Sequence, residues 1–272
     1  MFDGKALYNP KGRAGEYSTW AVNFYNGCSN GCTYCYLRRG VLAHVTGGDA
    51  PVLKKCFKDE HDALEIFRRE LEANREAVIR DGGLLFSFST DPCLPETAGS
   101  TMAAVSIAAE LGVPCKVLTK CTTWIKSCRP LLEELKDLVA VGFTVTGRDD
   151  LEPSASPTSE RIAAMALLHS KGIRIFASVE PVIDAQLSFN LMAGMAPFCD
   201  HFKVGLQSGR HYTQEKLDII APLADAFVKE GSGYTVYFKE SIRPYVKAET
   251  LADSKCVDAG WNIFAELVKQ PQ

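Results

Sequence analysis

The sequence predicts an α/β fold built as one parallel, barrel-like domain of TIM type. Three observations predict it. Short β-type apolar runs alternate with amphipathic helical stretches over most of the chain. Glycines close most of the helical stretches, and the apolar runs end in polar residues. Alternation of this length means parallel strands joined by right-handed helical crossovers. With 272 residues, 46% of them hydrophobic, the chain suffices for one such domain with a large core.

Residues 1–18 are rich in Gly, Lys and Tyr and show neither helix nor strand periodicity, so they are expected as a leader segment. Lys11, Arg13 and Tyr17 within it are placed either to reach over a site or to be solvated. Thr19-Trp-Ala-Val-Asn-Phe-Tyr is a β-type run that leads directly into a cysteine-rich loop, and Gly47-Gly48-Asp49-Ala-Pro51 breaks the chain after it. Residues 59–80 read as a helix, with Leu64, Phe67, Leu71 and Val78 on one stripe, ended by Gly82-Gly83. A strand from Leu84 runs to Thr90-Asp91-Pro92. Residues 97–111 form a small-residue helix stopped by Gly112, and 114–118 a strand ending at Thr119-Lys120. Residues 122–138 are helical, with a restart expected at Pro130, which suits a first turn. The strand 139–145 reaches Thr146-Gly-Arg148.

Ser156-Pro157 reads as an N-cap and a first-turn proline opening a helix that ends at Gly172. The strand 173–179 ends at Glu180-Pro181. A weaker helix (185–196), a short strand (201–205), a helix (213–230) and a strand (234–238) ending at Lys239-Glu240 follow, and 250–269 is expected as a terminal helix. The expected organisation is a leader (1–18), a barrel (19–240) and a C-terminal extension (241–272) whose helix packs on the barrel.

In a parallel barrel the working face lies at the carboxyl ends of the strands. Here those ends carry Asp91, Lys120, Thr146, Arg148, Glu180, Gln207, Lys239 and Glu240. Singly, each is accounted for by a helix cap, a surface charge or an ion pair such as Lys203 with Glu180. Together they form a polar ring, and the cysteine loop opens onto the same rim.

That loop is Cys28-Ser-Asn-Gly-Cys32-Thr-Tyr-Cys35-Tyr36. So short a loop can offer three thiolates to three irons of one cubane, leaving the fourth iron open to a substrate or cofactor. A zinc site would need a fourth ligand, and the nearest histidine, His44, lies nine residues on without finger spacing. A disulfide would leave one thiol unpaired, and nothing marks the chain as secreted. Of the other cysteines, Cys56, Cys115, Cys121, Cys128, Cys199 and Cys256 fit no ligand spacing and read as small buried hydrophobes. Cys93 differs because it follows a strand end on the rim, where a thiol either packs or gives a hydrogen atom to a substrate radical.

The net charge of −3 and pI near 6.0 weigh against a protein that coats nucleic acid, while leaving room for a local basic groove. No apolar run is long enough for a membrane span, and the first residues lack a signal-peptide pattern. Ten cysteines without a regular framework fit a reducing cytoplasm.

The cysteine spacing followed by an aromatic residue resembles the signature of the radical S-adenosylmethionine (SAM) superfamily. Over residues 20 to about 185 the chain further resembles spore photoproduct lyase and its DNA-repair-photolyase-like relatives, which include a queuine lyase. The likeness rests on Asn23-Phe-Tyr-Asn-Gly-Cys28, Ser89-Thr-Asp91-Pro92, Leu118-Thr-Lys120, Phe143-Thr144-Val-Thr146 and Ala177-Ser-Val-Glu180-Pro181. It implies the partial (β/α)6 TIM-type barrel of the radical SAM core. It also implies a 4Fe-4S cluster on Cys28, Cys32 and Cys35, with SAM chelating the open iron and yielding a 5′-deoxyadenosyl radical on reduction. Tyr36 would lie near the adenine, and Ser89, Lys120, Thr144 and Thr146 near the polar groups of SAM. Asp91, Glu180 and Cys93 are the candidates for acting on substrate. The implied substrate is a nucleobase-type or nucleic-acid-derived molecule in a lyase or repair-type reaction, with flavodoxin or ferredoxin as electron donor. One departure matters: the hydrogen-donating cysteine of spore photoproduct lyase, three residues before the strand-end aspartate, corresponds to Phe88 here, so thymine-dimer repair is not implied. A peptide-modifying radical SAM maturase and a non-enzymatic metal-binding nucleic-acid module are the alternative readings.

Overall fold

The computed structural model describes residues 1–39 and 43–265. Its main sheet has eight strands, and their spatial order follows the chain. They are β1 (Leu7–Tyr8), β2 (Trp20–Val22), β3 (Leu84–Phe86), β4 (Cys115–Thr119), β5 (Val139–Thr144), β6 (Arg174–Val182), β7 (His201–Leu206) and β8 (Thr235–Phe238). From β2 onward every neighbouring pair is parallel; β1 alone runs antiparallel, on β2. The expected partial TIM-type barrel is present: the six strands of a (β/α)6 unit, with β8 added as a seventh parallel strand.

Helices α1 (Glu60–Arg80), α2 (Ala98–Glu110), α3 (Ile125–Glu134), α4 (Thr158–His169), α5 (Ala185–Met195) and α6 (Ile220–Glu230) carry most of the crossovers. Asp59 caps α1 by accepting the Asp62 amide at 2.8 Å, and Asp184 caps α5 by accepting the Leu187 amide at 3.0 Å. Three expectations are corrected. Pro130 lies inside α3 rather than restarting it. The helix expected over 213–230 breaks at Ile219 into Gln214–Asp218 and α6, because the Pro222 ring sits where the Asp218 carbonyl of a continuous helix would be. The expected terminal helix is the single turn Ala248–Leu251, followed by turns through residue 264; its part beyond residue 265 lies outside the described residues.

Residues 1–18 are also more than a leader. They supply β1 and a short 3-10 helix, Gly12–Glu16, that reaches across to β7 and β8. There the Lys203 ammonium donates to the Glu16 carbonyl at 2.8 Å, and the Glu16 carboxylate accepts from the Tyr237 hydroxyl at 3.1 Å and the Glu240 amide at 3.0 Å. A strand of two residues has too little periodicity to be legible in sequence.

Side chains alternate across the sheet. In β4, Cys115, Val117 and Thr119 are buried toward the helices, whereas Lys116 and Leu118 face the barrel lumen. The larger core therefore lies between sheet and helices, with Phe67, Leu71, Val105, Leu132, Met165, Met192 and Val204 in it. A second, small core fills the lumen: Leu85, Ala140, Phe176 and Phe264. The Phe176 ring fills the space where a side chain at residue 142 would stand, so Gly142 is required by close approach. Trp261 stacks on His201 with centroids 4.4 Å apart, and with Phe264 it closes the amino-terminal end of the lumen.

Above this plug, Lys116, His201 and Lys203 line one small cavity with Tyr17 and Trp261. Burial pulls Lys116 down to about 8; burial, then the neighbouring Lys116 and Lys239 charges, pull Lys203 down to about 7 against the opposing pull of Glu16 and Glu180. A lysine depressed in this way binds fewer protons folded than unfolded. Its destabilising effect is full below the folded value and is relieved as pH rises toward the ordinary 10.5. Replacing Lys116 by Met is therefore expected to stabilise the apo-protein by about 2 kcal/mol at neutral pH. It should also flatten the rise in stability between pH 8 and 10.5. Urea unfolding at several pH values checks this; an unchanged or lowered midpoint at neutral pH would contradict it.

Candidate functional site

The cysteine loop follows β2 and rises on the carboxyl side of the sheet. A two-stranded ribbon, Tyr25–Asn26 with Val52–Leu53, clamps the two ends of the excursion that contains it. Gly27 enters the loop at φ +85°, and a β-carbon there would collide with the Ala50 carbonyl, so only glycine fits. The Cys28 amide then donates to the Gly48 carbonyl at 3.0 Å.

Two buried groups hold the loop against the barrel. The first is Asp91, just past the end of β3. Its carboxylate accepts from the Asn30 side chain at 2.8 Å, the Thr119 hydroxyl at 2.6 Å, and the Lys120 and Cys93 amides at 2.8 and 3.0 Å. One carboxylate thus ties the cysteine loop to the ends of two strands. With its acceptor sites filled it positions other groups and has no lone pair directed at a substrate. The second is the ion pair of Glu152 and Arg161, both fully or nearly fully buried. Glu152 accepts from the Tyr34 hydroxyl within the cysteine loop and from Thr146 at 3.2 Å. Arg161 donates to the Ser156 and Thr144 carbonyls at 2.7 and 2.6 Å. Burial and the Glu152 charge push Tyr34 far above the ordinary phenol range, so it remains a donor to Glu152. Backbone bonds from Thr33 to Leu151 (2.9 Å) and from Ser154 to Asn30 (3.2 Å) complete the seam.

Cys28 and Cys35 are half-buried and Cys32 buried. Burial, then the Asp91 charge, pushes the Cys28 thiol up to about 11, while the Asn30 and Asp91 amides and Lys120 pull it back. Burial likewise raises Cys32, again opposed by Lys120. Lys120, with its ammonium 5.7 Å from the Tyr34 ring, thus offsets thiolate charge at Cys28 and Cys32, with Arg161 adding to it at Cys32. Among the described residues no three His, Cys, Asp or Glu side chains gather as ligands of one ion. As a donor set, three thiols without a fourth protein ligand are what a cluster with one open iron would take. The loop also carries a buried acceptor without a partner among the described residues, the Asn30 side-chain oxygen, as a site built to receive a further group would.

Across the mouth, Glu180 at the end of β6 accepts from the Tyr17 hydroxyl at 2.6 Å and from Lys239 at 2.6 Å. Lys239 also contacts Glu16 at 3.2 Å, and Tyr17 contacts Ser178 at 2.7 Å. Glu180 therefore pairs with Lys239 rather than with Lys203. Gly205 lies against both partners of the pair, so a side chain there would press on them.

The sequence-predicted residues thus divide. Cys28, Cys32, Cys35, Asp91 and Lys120 converge on the loop. Tyr36 stands at its edge, 60% exposed, with its hydroxyl on the Phe88 carbonyl and its ring open to the mouth. Thr144 lies on β5 facing the lumen side. Ser89 gives its hydroxyl to the Tyr25 carbonyl at 2.5 Å, and Thr146 is sealed in the Glu152 group; both act within the scaffold. Cys93 is fully buried in the core between sheet and helices beside Cys121, not at the mouth. A thiol sealed there cannot meet a substrate in the lumen, which removes the geometric basis for its expected hydrogen-donor role. Sequence reasoning missed Tyr34, Glu152, Arg161 and Asn30; the one available signal was that Tyr34 and Asn30 lie inside the cysteine motif.

No family model and no curated protein matches the sequence. Solved structures do match. A variant of spore photoproduct lyase is 14% identical with a TM-score of 0.63, covering 86% of this chain and 80% of its own. Spore photoproduct lyase complexed with dinucleoside spore photoproduct gives 14% identity and a TM-score of 0.62, covering 85% and 79%. SuiB of Streptococcus suis bound to S-adenosylmethionine gives 12% identity and a TM-score of 0.57 over 81% of this chain and 50% of SuiB. The expected resemblance is thus present in three dimensions: the chain has the partial TIM-type barrel fold of spore photoproduct lyase, a fold it also shares with SuiB.

Proposed function

We propose that the chain is a radical SAM enzyme acting on a nucleobase-type or nucleotide-derived substrate. The observation that carries this reading is the three-thiol loop held over the carboxyl mouth of a partial barrel by Asp91. When bound, a 4Fe-4S cluster with SAM supplies a reductively generated 5′-deoxyadenosyl radical able to take a hydrogen atom from substrate. Cys28, Cys32 and Cys35 would hold the cluster, and Lys120 offsets their thiolate charge. The exposed Tyr36 ring offers a stacking face for an adenine. Glu180, fixed by Tyr17 and Lys239, presents charge and hydrogen-bond capacity at the floor of the mouth. The aromatic plug of Phe176, Phe264 and Trp261 keeps bulk water from entering the lumen from below.

The fold shared with SuiB solved with S-adenosylmethionine, and with spore photoproduct lyase solved with a dinucleoside, supports the cofactor and the substrate class respectively. A lyase-type step is the reaction this combination favours, with an electron drawn from a flavodoxin- or ferredoxin-type donor. All ten cysteines are free, which suits a reducing cytoplasm. No helix among the described residues is long and apolar enough to cross a membrane. Anaerobic reconstitution with iron and sulfide tests the reading: the reduced protein is expected to give a cluster paramagnetic resonance signal that shifts when SAM is added. A preparation that takes up zinc and no iron overturns it.

A further inference from the structure

Past the end of β7 the chain turns back on itself over residues 207–212 and leaves an open cleft of about 270 Å³ at the rim of the mouth. Its charged lining is two guanidiniums, Arg13 and Arg210, with Gln207, His211, Tyr212 and Ser241 beside them and no carboxylate. Of the carboxylates across the mouth, Glu16 and Glu180 are both committed to Lys239, at 3.2 and 2.6 Å. On a chain with a net charge of −3, a cleft whose charged lining is two guanidiniums is a local reversal of field.

The lining is also held in place. Tyr212 donates to the Val182 carbonyl at 2.8 Å and accepts the Gln207 amide at 2.9 Å, fixing its ring. The Arg210 guanidinium lies 5.6 Å from that ring, and one of its nitrogens contacts the Gln207 side chain at 3.4 Å. Arg13 is anchored from the other side by its bond to Ser208. Ser241 accepts the Leu206 amide at 3.0 Å, joining the ends of β7 and β8. The cleft therefore opens beside the Glu180–Lys239 pair, since Val182 follows Glu180 by two residues and is the register partner of Leu206.

We propose that this cleft binds the phosphate ester of the substrate, so that the enzyme takes a phosphorylated, nucleotide-sized molecule rather than a free base. Two guanidiniums, one from the N-terminal segment and one from the 207–212 turn, suit the tetrahedral, multiply charged phosphate. The volume is at the low end of ligand pockets, about 300 Å³, enough for a phosphate and the sugar that carries it. An anchor beside the Glu180–Lys239 pair would leave the rest of the molecule over the mouth. The word substrate rests on the radical SAM reading; the binding itself does not.

The test is equilibrium binding at low salt to the full chain, with uridine 5′-monophosphate, ribose 5-phosphate and uridine as probes. The two phosphate esters are expected to bind about tenfold or more tighter than uridine, and Arg13→Gln and Arg210→Gln each to lose about tenfold. Cluster loading and the effect of SAM on the resonance signal should be unchanged in both variants. Uridine binding as tightly as its phosphate, or either ester binding undiminished in both variants, would overturn the proposal. Failure of the wild-type chain to load iron would instead count against the radical SAM reading and leave the phosphate result standing.

Discussion

Alanine at Cys32 is expected to empty the loop of iron. Of the three thiols in the loop, this one is buried, and removing it leaves two ligands for a cluster that requires three. Reconstituted Cys32→Ala should hold less than about a tenth of the wild-type iron and lose the visible thiolate-to-iron absorption. The loss should come without unfolding, because Asp91 and Glu152 hold the loop through Asn30 and Tyr34 rather than through the cysteines. Two controls sharpen the result. Cys56 is exposed, and Cys56→Ser should load fully. Cys93→Ala removes a fully buried sulfur and should cost about 1–2 kcal/mol of stability while iron uptake persists. If Cys93→Ala lost iron as completely as Cys32→Ala, the placement of Cys93 in the core would be wrong.

The second large effect is expected at Arg161. Its side chain and that of Glu152 are fully buried, and the pair supports Tyr34 on one side and the β5 end on the other. Arg161→Met strands the Glu152 carboxylate in a dry interior with only neutral donors. Losing one partner of such a pair costs about 3–5 kcal/mol. Adding Glu152→Leu removes the stranded charge, so the double variant should regain a large part of that loss. Iron uptake should fall in the double variant, because only there does Tyr34 lose its acceptor. Urea unfolding and iron analysis on the single and double variants separate the two effects; equal destabilisation of single and double would contradict the account.

Much of the barrel was legible because its signals are local. Apolar runs closed by polar ends located β3 to β8, and the strand-end rule placed Asp91, Lys120 and Glu180 on one face before any coordinates. The spacing of Cys28, Cys32 and Cys35 located the loop. What stayed hidden is long-range pairing. Asp91 could be placed on the rim, but its partners at residues 30, 93, 119 and 120 leave no pattern in the chain, so its tie between the loop and two strand ends was not legible. Thr146 and Ser89 show the same limit: a hydroxyl at a strand end says nothing about which backbone or side chain it will bond. Cys93 lies within a few residues of the mouth in sequence, yet the turn at Pro92 sends it to the helix side. The first eighteen residues lacked periodicity because they contribute single side chains, Glu16 and Tyr17, rather than a repeating face.

The most direct test of the central claim is the fate of SAM on the reduced, reconstituted protein. Incubated anaerobically with dithionite and SAM, the wild-type chain is predicted to release 5′-deoxyadenosine. The variant with Cys28, Cys32 and Cys35 all changed to Ala should release none. An iron-loaded wild-type chain that forms no 5′-deoxyadenosine under these conditions, or a triple variant that forms as much as wild type, would contradict the account.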